Sequence, residues 1–322
     1  MSTESAASTP DSATPRVVLL SGGTGGAKLA RGFLDVVGAN LTVIANVADD
    51  IDIYGAHVSP DPDLVSYWLA QRVDPRGWGI ENDSFTVMDE LRKLGEDIWF
   101  NLGDRDLAVC VQRAKWFAEG VRPTEALARL TKSLGIAATV LPPTDDQLRT
   151  TVQVGGRRTG VQDFLIRGHG NGPIEDVKVE NLEESTVTDE TFAAIHEADV
   201  IVIGPSNPAL SITPIIGLPG LRDAIKKASA PKIVVSPLVE GFVLKGPTDA
   251  FLDHLGVTHD VAGIASLYAD VLDGIVSDDA PLAPLPDGTA HRQVDVLLDT
   301  PERRREVAAD VLSLAAEIRG AA

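Results

Sequence analysis

The stretch VVLLSGGTGGAKLARGFLDVV at residues 17–37, followed by LTVIAN at 41–46, decides the architecture. VVLL is an unbroken apolar run, the pattern of a strand buried on both faces. It stops at a turn made of Gly22, Gly23, Thr24, Gly25 and Gly26. AKLARGFLDVV then repeats its apolar residues at three- and four-residue spacing, which is helical. LTVIAN reads as a second buried strand. Strand, helix and strand in this order imply a parallel, right-handed unit. Two loops, 21–26 and 46–54, then lie side by side at the C-terminal edge of the sheet, where open α/β sheets bind ligands.

Working outward, DLVSYWLAQR, SFTVMDELRKL, RDLAVCVQRAKWF and PTEALARLTKSL are helical, with no convincing strand between residues 62 and 134. AATVLPPTDDQ, TTVQV and DFLIR suggest short strands, with GGRR as a hairpin tip. The strand-and-helix rhythm resumes at DVIVIG (199–204) and KIVVSP (232–237), with LVEGFVLKGPTD as a loop and VDVLL as a last strand before a closing helix. The predicted fold is therefore α/β, a Rossmann-like parallel sheet with a helical insertion covering its C-terminal edge. Residues 16–60 and 136–322 form the core with a small β region, 61–135 form the lid, and 1–15 are a short disordered tail.

Composition narrows the function. The chain has 322 residues, 44% hydrophobic and 23% charged, which fits a globular protein with a sizeable core. Its net charge of −19 argues against nucleic acid or an acidic membrane surface as partner. No apolar run approaches a membrane span and no signal peptide opens the sequence, so a cytoplasmic location is expected. The single cysteine, Cys110, sits in a helical pattern and reads as a small core residue. Neither HExxH nor GxSxG occurs, which removes the common zinc-protease and nucleophile-elbow chemistries.

Five groups of residues can carry chemistry. The glycine turn runs into a helix N-terminus, whose free N–H groups suit a phosphate, although neither GxGxxG nor the P-loop signature is met. A plain tight turn is the alternative. The acidic loop with Asp49, Asp50 and Asp52, together with Asp61 and Asp63, suits Mg²⁺ or is simply a solvated acidic surface. Asp104, Arg105 and Asp106 can grip a substrate phosphate, form an ion-pair network, or cap the next helix. Ser206 and Asn207, after a buried strand, can hydrogen-bond a base or sugar, or act as an N-cap. Lys245 lies in a loop that leads to the same edge, with a surface salt bridge as its alternative.

Taken in order, SGGTGGAKLARGF, NVADD, GAHVSPDPDLVSYWL, RGWGIENDSF, WFNLGDRDLA, LPPTDDQLRT, IGPSNPALSI and SPLVEGFVLKGPTD resemble the 2-phospho-L-lactate transferase family of coenzyme F420 biosynthesis. The resemblance runs from about Val17 to Asp249. It implies an enzyme that moves a phosphorylated three-carbon acid (phospholactyl, phosphoenolpyruvyl or phosphoglyceryl) from its guanosine diphosphate conjugate to the ribityl 5′-hydroxyl of the deazaflavin Fo, releasing GMP. It also implies Mg²⁺ as cofactor, a guanylyltransferase that supplies the donor, and a homodimer.

For individual residues, the resemblance places Asp49, Asp50 and Asp63 near the metal and diphosphate. The glycine turn, Ser206 and Asn207 would serve the nucleotide or the deazaflavin, joined by Asp104, Asp106 and Lys245. Lys28 and Arg105 would neutralise charge, and Asp50, then Asp63, would accept the Fo hydroxyl proton. Three positions depart from the family pattern: Ala48 where Gly is common, Asn82–Ser84, and the segment with Glu240 and Phe242. Two other readings remain, a nucleotide-sugar-binding regulator resembling gluconeogenesis factor and a nicotinamide oxidoreductase.

Overall fold

The computed structural model describes residues 14–244 and 246–321. Most of the expected tail and Lys245 lie outside the described residues. Seven parallel strands form the central sheet: β1 (Val17–Ser21), β2 (Leu41–Ala45), β3 (Thr139–Leu141), β4 (Val200–Ile203), β5 (Lys232–Val235), β6 (Gly274–Ser277) and β7 (Ala290–Gln293), in the spatial order 3-2-1-4-5-6-7. The order reverses beside β1, the switch point at which Rossmann-like sheets open a ligand crevice. Successive residues of β1 face opposite layers. Val17 and Leu19 pack with helix α1 (Gly23–Val37) and the closing helix Pro301–Ala321. Val18 and Leu20 pack with the helices of the other face.

Between β2 and β3 run α2 (Pro60–Leu69), α3 (Thr86–Lys93), α4 (Asp104–Ala118) and α5 (Pro123–Ser133). They match the helical insertion read from the sequence. Pro60 opens α2 at a position where a missing N–H costs nothing, and Asp61 and Asp63 fill its first turn. A short antiparallel hairpin, Ile51–Ile53 with Ala56–Val58, precedes α2. Its two-residue turn, Tyr54 and Gly55, has positive φ at both positions, which matches the twist of paired strands.

The hairpin strand Ile51–Ile53 lies within the expected loop 46–54, and three further segments differ from their sequence expectation. DFLIR belongs to a helix, Val161–Ile166, because Val161 and Phe164 bury one face at three-residue spacing. A window that short does not separate strand from helix by periodicity. The last strand is Ala290–Gln293 and not VDVLL, since β6 ends opposite Gln293 and leaves the next residues without a strand to pair with. Val296 and Leu298 are still buried, against the α1 face. The expected loop after β5 contains a small hairpin, Leu238–Val239 with Phe242–Val243.

Candidate active site

Four carboxylates converge where β1, β2 and α2 meet. Asp49 and Asp50 come from the loop after β2, Asp61 and Asp63 from the first turn of α2, and each is at most 8% exposed. Parallel pairing brings the ends of β1 and β2 level, and the Asn46 amide donates to Ser21 O at 3.0 Å. The Asn46 side chain donates to Asp61 Oδ2 at 2.9 Å, and the backbone N–H of Gly23, at the start of α1, donates to Asp61 Oδ1 at 2.6 Å. A carboxylate of the protein itself thus occupies part of the helix N-terminus that the sequence offers to an anion.

Crowding sets the electrostatics. Burial, then the charge of Asp61, pushes the Asp49 carboxyl well above its usual range against a hydrogen bond from Asn46. Burial also raises Asp61 to about 6, although Asn46 and Gly23 hydrogen-bond its charged form. Arg113 of α4, itself buried, answers this group: it grips both oxygens of Asp63 and donates to His57 O at 3.0 Å. Burial opposes the Arg113 charge, but Asp63 outweighs it and holds the guanidinium protonated. Two buried oxygens, Asp49 Oδ1 and Asp50 Oδ1, find no partner among the described residues. Unmet carboxylate oxygens in an overcrowded acidic group are the donor set of a hard divalent cation. A second acidic group, Asp63, Asp106 and Cys110, lies close enough to share an ion. Arg113 holds Asp63, Tyr67 donates to Asp106 at 2.7 Å, and burial keeps the Cys110 thiol protonated, so that group is already satisfied by the protein.

The hairpin before α2 supplies a histidine. Its register sets Asp52 opposite His57, and the ring meets Asp52 Oδ1 at 2.6 Å through Nδ1 and Asp50 Oδ2 at 3.0 Å through Nε2. Burial would lower the His57 pKa, but its bond to Asp50 and the two neighbouring carboxylates raise it. Ser59 donates to the same Asp50 Oδ2.

In front of Asp61 and Asp63 opens a cavity of about 1090 Å³. Its walls also carry Trp78, Phe85, Trp99 and Phe100 from the lid, so the lining combines buried carboxylates with aromatic rings. A paired cap shapes the lid. Asp104 accepts from the Thr86 and Val87 amides at the start of α3, at 3.0 and 2.9 Å. Asp83 accepts from the Arg105 and Asp106 amides at the start of α4, at 2.9 and 3.1 Å. The Val87 amide and Ser84 hold the Asp104 carboxyl below its usual range. Gly103 permits this arrangement, because a Cβ there would strike the Asp83 carboxylate.

The profile of the family described as "2-phospho-L-lactate transferase CofD" matches residues 17–315. The chain belongs to that family. It is 34% identical to a 2-phospho-L-lactate transferase of Methanosarcina acetivorans, over 92% of this chain and 98% of that one. It is also 34% identical to a phosphoenolpyruvate transferase of Thermobifida fusca, over 94% and 99% of the two chains. A solved UPF0052-family protein from Bacillus halodurans shares the fold, with a TM-score of 0.59 at 19% identity over 93% of this chain and 99% of that one.

Within this 2-phospho-L-lactate transferase family member, the residues expected from the sequence separate into two groups. Asp49, Asp50 and Asp63 come together, and Asp63 and Asp106 line the cavity. Several of the others have protein partners. Lys28 pairs with Asp299 beside Trp68, and Arg105 is exposed with its guanidinium 3.4 Å from Glu81 O. Ser206 accepts from the Gly22 amide at 3.1 Å. Asn207 caps the short helix 208–212 by accepting from the Ala209 and Leu210 amides. Asp104 caps the helix before it and not the next helix that its sequence suggested, because its carboxylate reaches back to the Thr86 and Val87 amides. Around the glycine turn, added Cβ atoms at Gly25 and Gly26 would strike Pro205 O and the Ser21 and Ser206 hydroxyls. Close packing is therefore one reason for these glycines.

Sequence reading missed His57, Ser59, Tyr67, Asp83 and Arg113 as site residues. Arg113 alone left a usable signal: with Leu107 and Cys110 it falls at three-residue spacing on the buried stripe of α4, where an arginine needs a partner.

Proposed function

We propose that this protein is a transferase of coenzyme F420 biosynthesis. It moves a phosphorylated three-carbon acid from its guanosine diphosphate conjugate to the ribityl 5′-hydroxyl of Fo. One observation carries the reading beyond family membership: a cavity of about 1090 Å³ lined by both aromatic rings and buried carboxylates. A flat deazaflavin suits Trp78, Phe85, Trp99 and Phe100, and its hydroxyl chain suits the carboxylates.

In the reaction, the Fo oxygen forms a bond to the phosphorus next to the acid, the bond from that phosphorus to the GMP oxygen breaks, and the hydroxyl proton leaves. Such a transfer needs alignment and charge neutralisation more than covalent help. Asp49 and Asp50, through their unpartnered oxygens, would hold Mg²⁺, which when bound would neutralise the diphosphate charge. Burial raises the Asp63 carboxyl, and Arg113 opposes that rise while fixing both of its oxygens. Asp61 lines the cavity and is held by neutral donors only, so it takes the proton more readily than Asp63. The N–H groups at the start of α1 that Asp61 leaves open, with Thr24, would face the donor's phosphates.

A mass-spectrometric assay tests the reading. It combines the protein with Fo, Mg²⁺, GTP and the guanylyltransferase, and offers 2-phospholactate, phosphoenolpyruvate or 3-phosphoglycerate in separate tubes. A phosphodiester of Fo in one tube, with GMP, is the expected result and names the donor. No product in any tube, with an active guanylyltransferase, would overturn the proposal.

A further inference from the structure

Asp50 belongs to the acidic group, and its charge adds to the upward push of burial on Asp49, Asp61 and Asp63. Its two oxygens are used unequally. His57 Nε2 meets Oδ2 at 3.0 Å and Ser59 Oγ donates to it, while Oδ1 is buried with no partner among the described residues. His57 is in turn held on every side. Asp52 Oδ1 binds Nδ1, and Arg149 braces Asp52 from the other side at 3.0 Å. Arg113 binds the His57 carbonyl, and the Phe117 ring meets the imidazole edge-on at 4.9 Å between centroids. A side chain tied at both ring nitrogens, its ring face and its backbone has one orientation available.

We propose that His57 is a positioning residue for the cation site. Braced by Asp52 and Arg149, it pins Asp50 by one oxygen so that the other stays turned to the acidic group. The inference rests on the reading that Asp49 and Asp50 hold a divalent cation. His57 itself touches neither substrate nor ion. Its role is that of an outer partner which fixes a ligating carboxylate, and loss of such a partner weakens metal affinity by about 10- to 100-fold. Asp52 makes the inference separable from folding, because its side chain is 63% exposed and contacts none of the four buried carboxylates.

The experiment measures Mn²⁺ binding to the full chain, without substrates, by the loss of the free-ion electron paramagnetic resonance signal. Asp50→Asn defines the site by abolishing binding. His57→Leu weakens binding about 10- to 100-fold, and His57→Gln, which keeps a donor near the Nε2 position, recovers most of it. Asp52→Ala weakens binding about tenfold, whereas Asp52→Asn, still an acceptor for Nδ1–H but uncharged, stays close to wild type. Equal weakening in the two Asp52 variants would mean that only long-range charge acts there, and would overturn the inference. Wild-type affinity in a folded His57→Leu protein would overturn it too. Absence of Mn²⁺ binding by the wild type, or its persistence in Asp50→Asn, would overturn the metal reading and this inference with it.

Discussion

The glycine turn after β1 and the acidic loop after β2 leave neighbouring strands at the same edge, yet the protein treats them differently. The turn is largely turned inward: Gly23 N–H meets Asp61, Gly22 N–H meets Ser206, and added Cβ atoms at Gly25 and Gly26 would strike the segment after β4 or the end of β1. The loop is left unfinished, with buried oxygens on Asp49 and Asp50 that find no partner among the described residues. A glycine-rich sequence advertises a ligand but can equally advertise close packing. A buried carboxylate oxygen without a partner has no such packing use, because the cost of leaving it unmet is not repaid by the fold.

Mutations can break or sharpen this contrast. The largest effect is expected from Arg113→Met, which strips Asp63 of its buried partner and should destabilise the protein by about 3–5 kcal/mol in urea unfolding. Asp50→Asn should leave unfolding nearly unchanged and lower the transfer rate by about 10²- to 10³-fold, read from product formation at saturating Fo. Gly26→Ala should do the reverse. Forcing a methyl against Ser21 and Ser206 is expected to cost about 1–3 kcal/mol in thermal or urea unfolding. If Gly26→Ala instead kept its stability and lost only activity, the turn would belong with the loop as ligand-binding surface.

The smallest effect concerns pH. Burial, then the charge of Asp63, raises the Asp106 carboxyl to about 7. The folded protein therefore keeps a proton there that the unfolded chain loses near pH ~4. The stability this proton contributes is present in full below the unfolded value and is lost as pH rises through about 7. Asp106→Asn keeps an acceptor for the Tyr67 hydroxyl and removes the charge. Its melting temperature relative to wild type should rise between pH 5 and pH 8. A constant difference across that range would show that Asp106 does not titrate there.

Much of the fold was legible because it rests on patterns that short windows contain. VVLL and LTVIAN are buried on both faces, and the helices of the insertion show their stripes. The errors fell where a neighbour decides the outcome. VDVLL has strand residues but no strand left to pair with, and DFLIR is too short for its period to be read. The site divides in the same way. Asp49, Asp50 and Asp63 announce themselves by charge in an edge loop and a helix start. Asp104, Ser206 and Asn207 are polar residues at chain turns, where a cap and a ligand contact have the same sequence signature. His57 became visible only once the hairpin set it beside Asp52, since register across a turn is a property of two strands and not of one residue.

The exchanged caps of Asp83 and Asp104 have a mechanical consequence. Each acid belongs to the approach of one helix and secures the first turn of the other, so α3 and α4 are fastened like the two halves of a buckle. Neither can swing without stripping amides from its neighbour. Any opening over the aromatic walls of the cavity must carry both helices as a single rigid jaw, bending in the connections on either side of the pair.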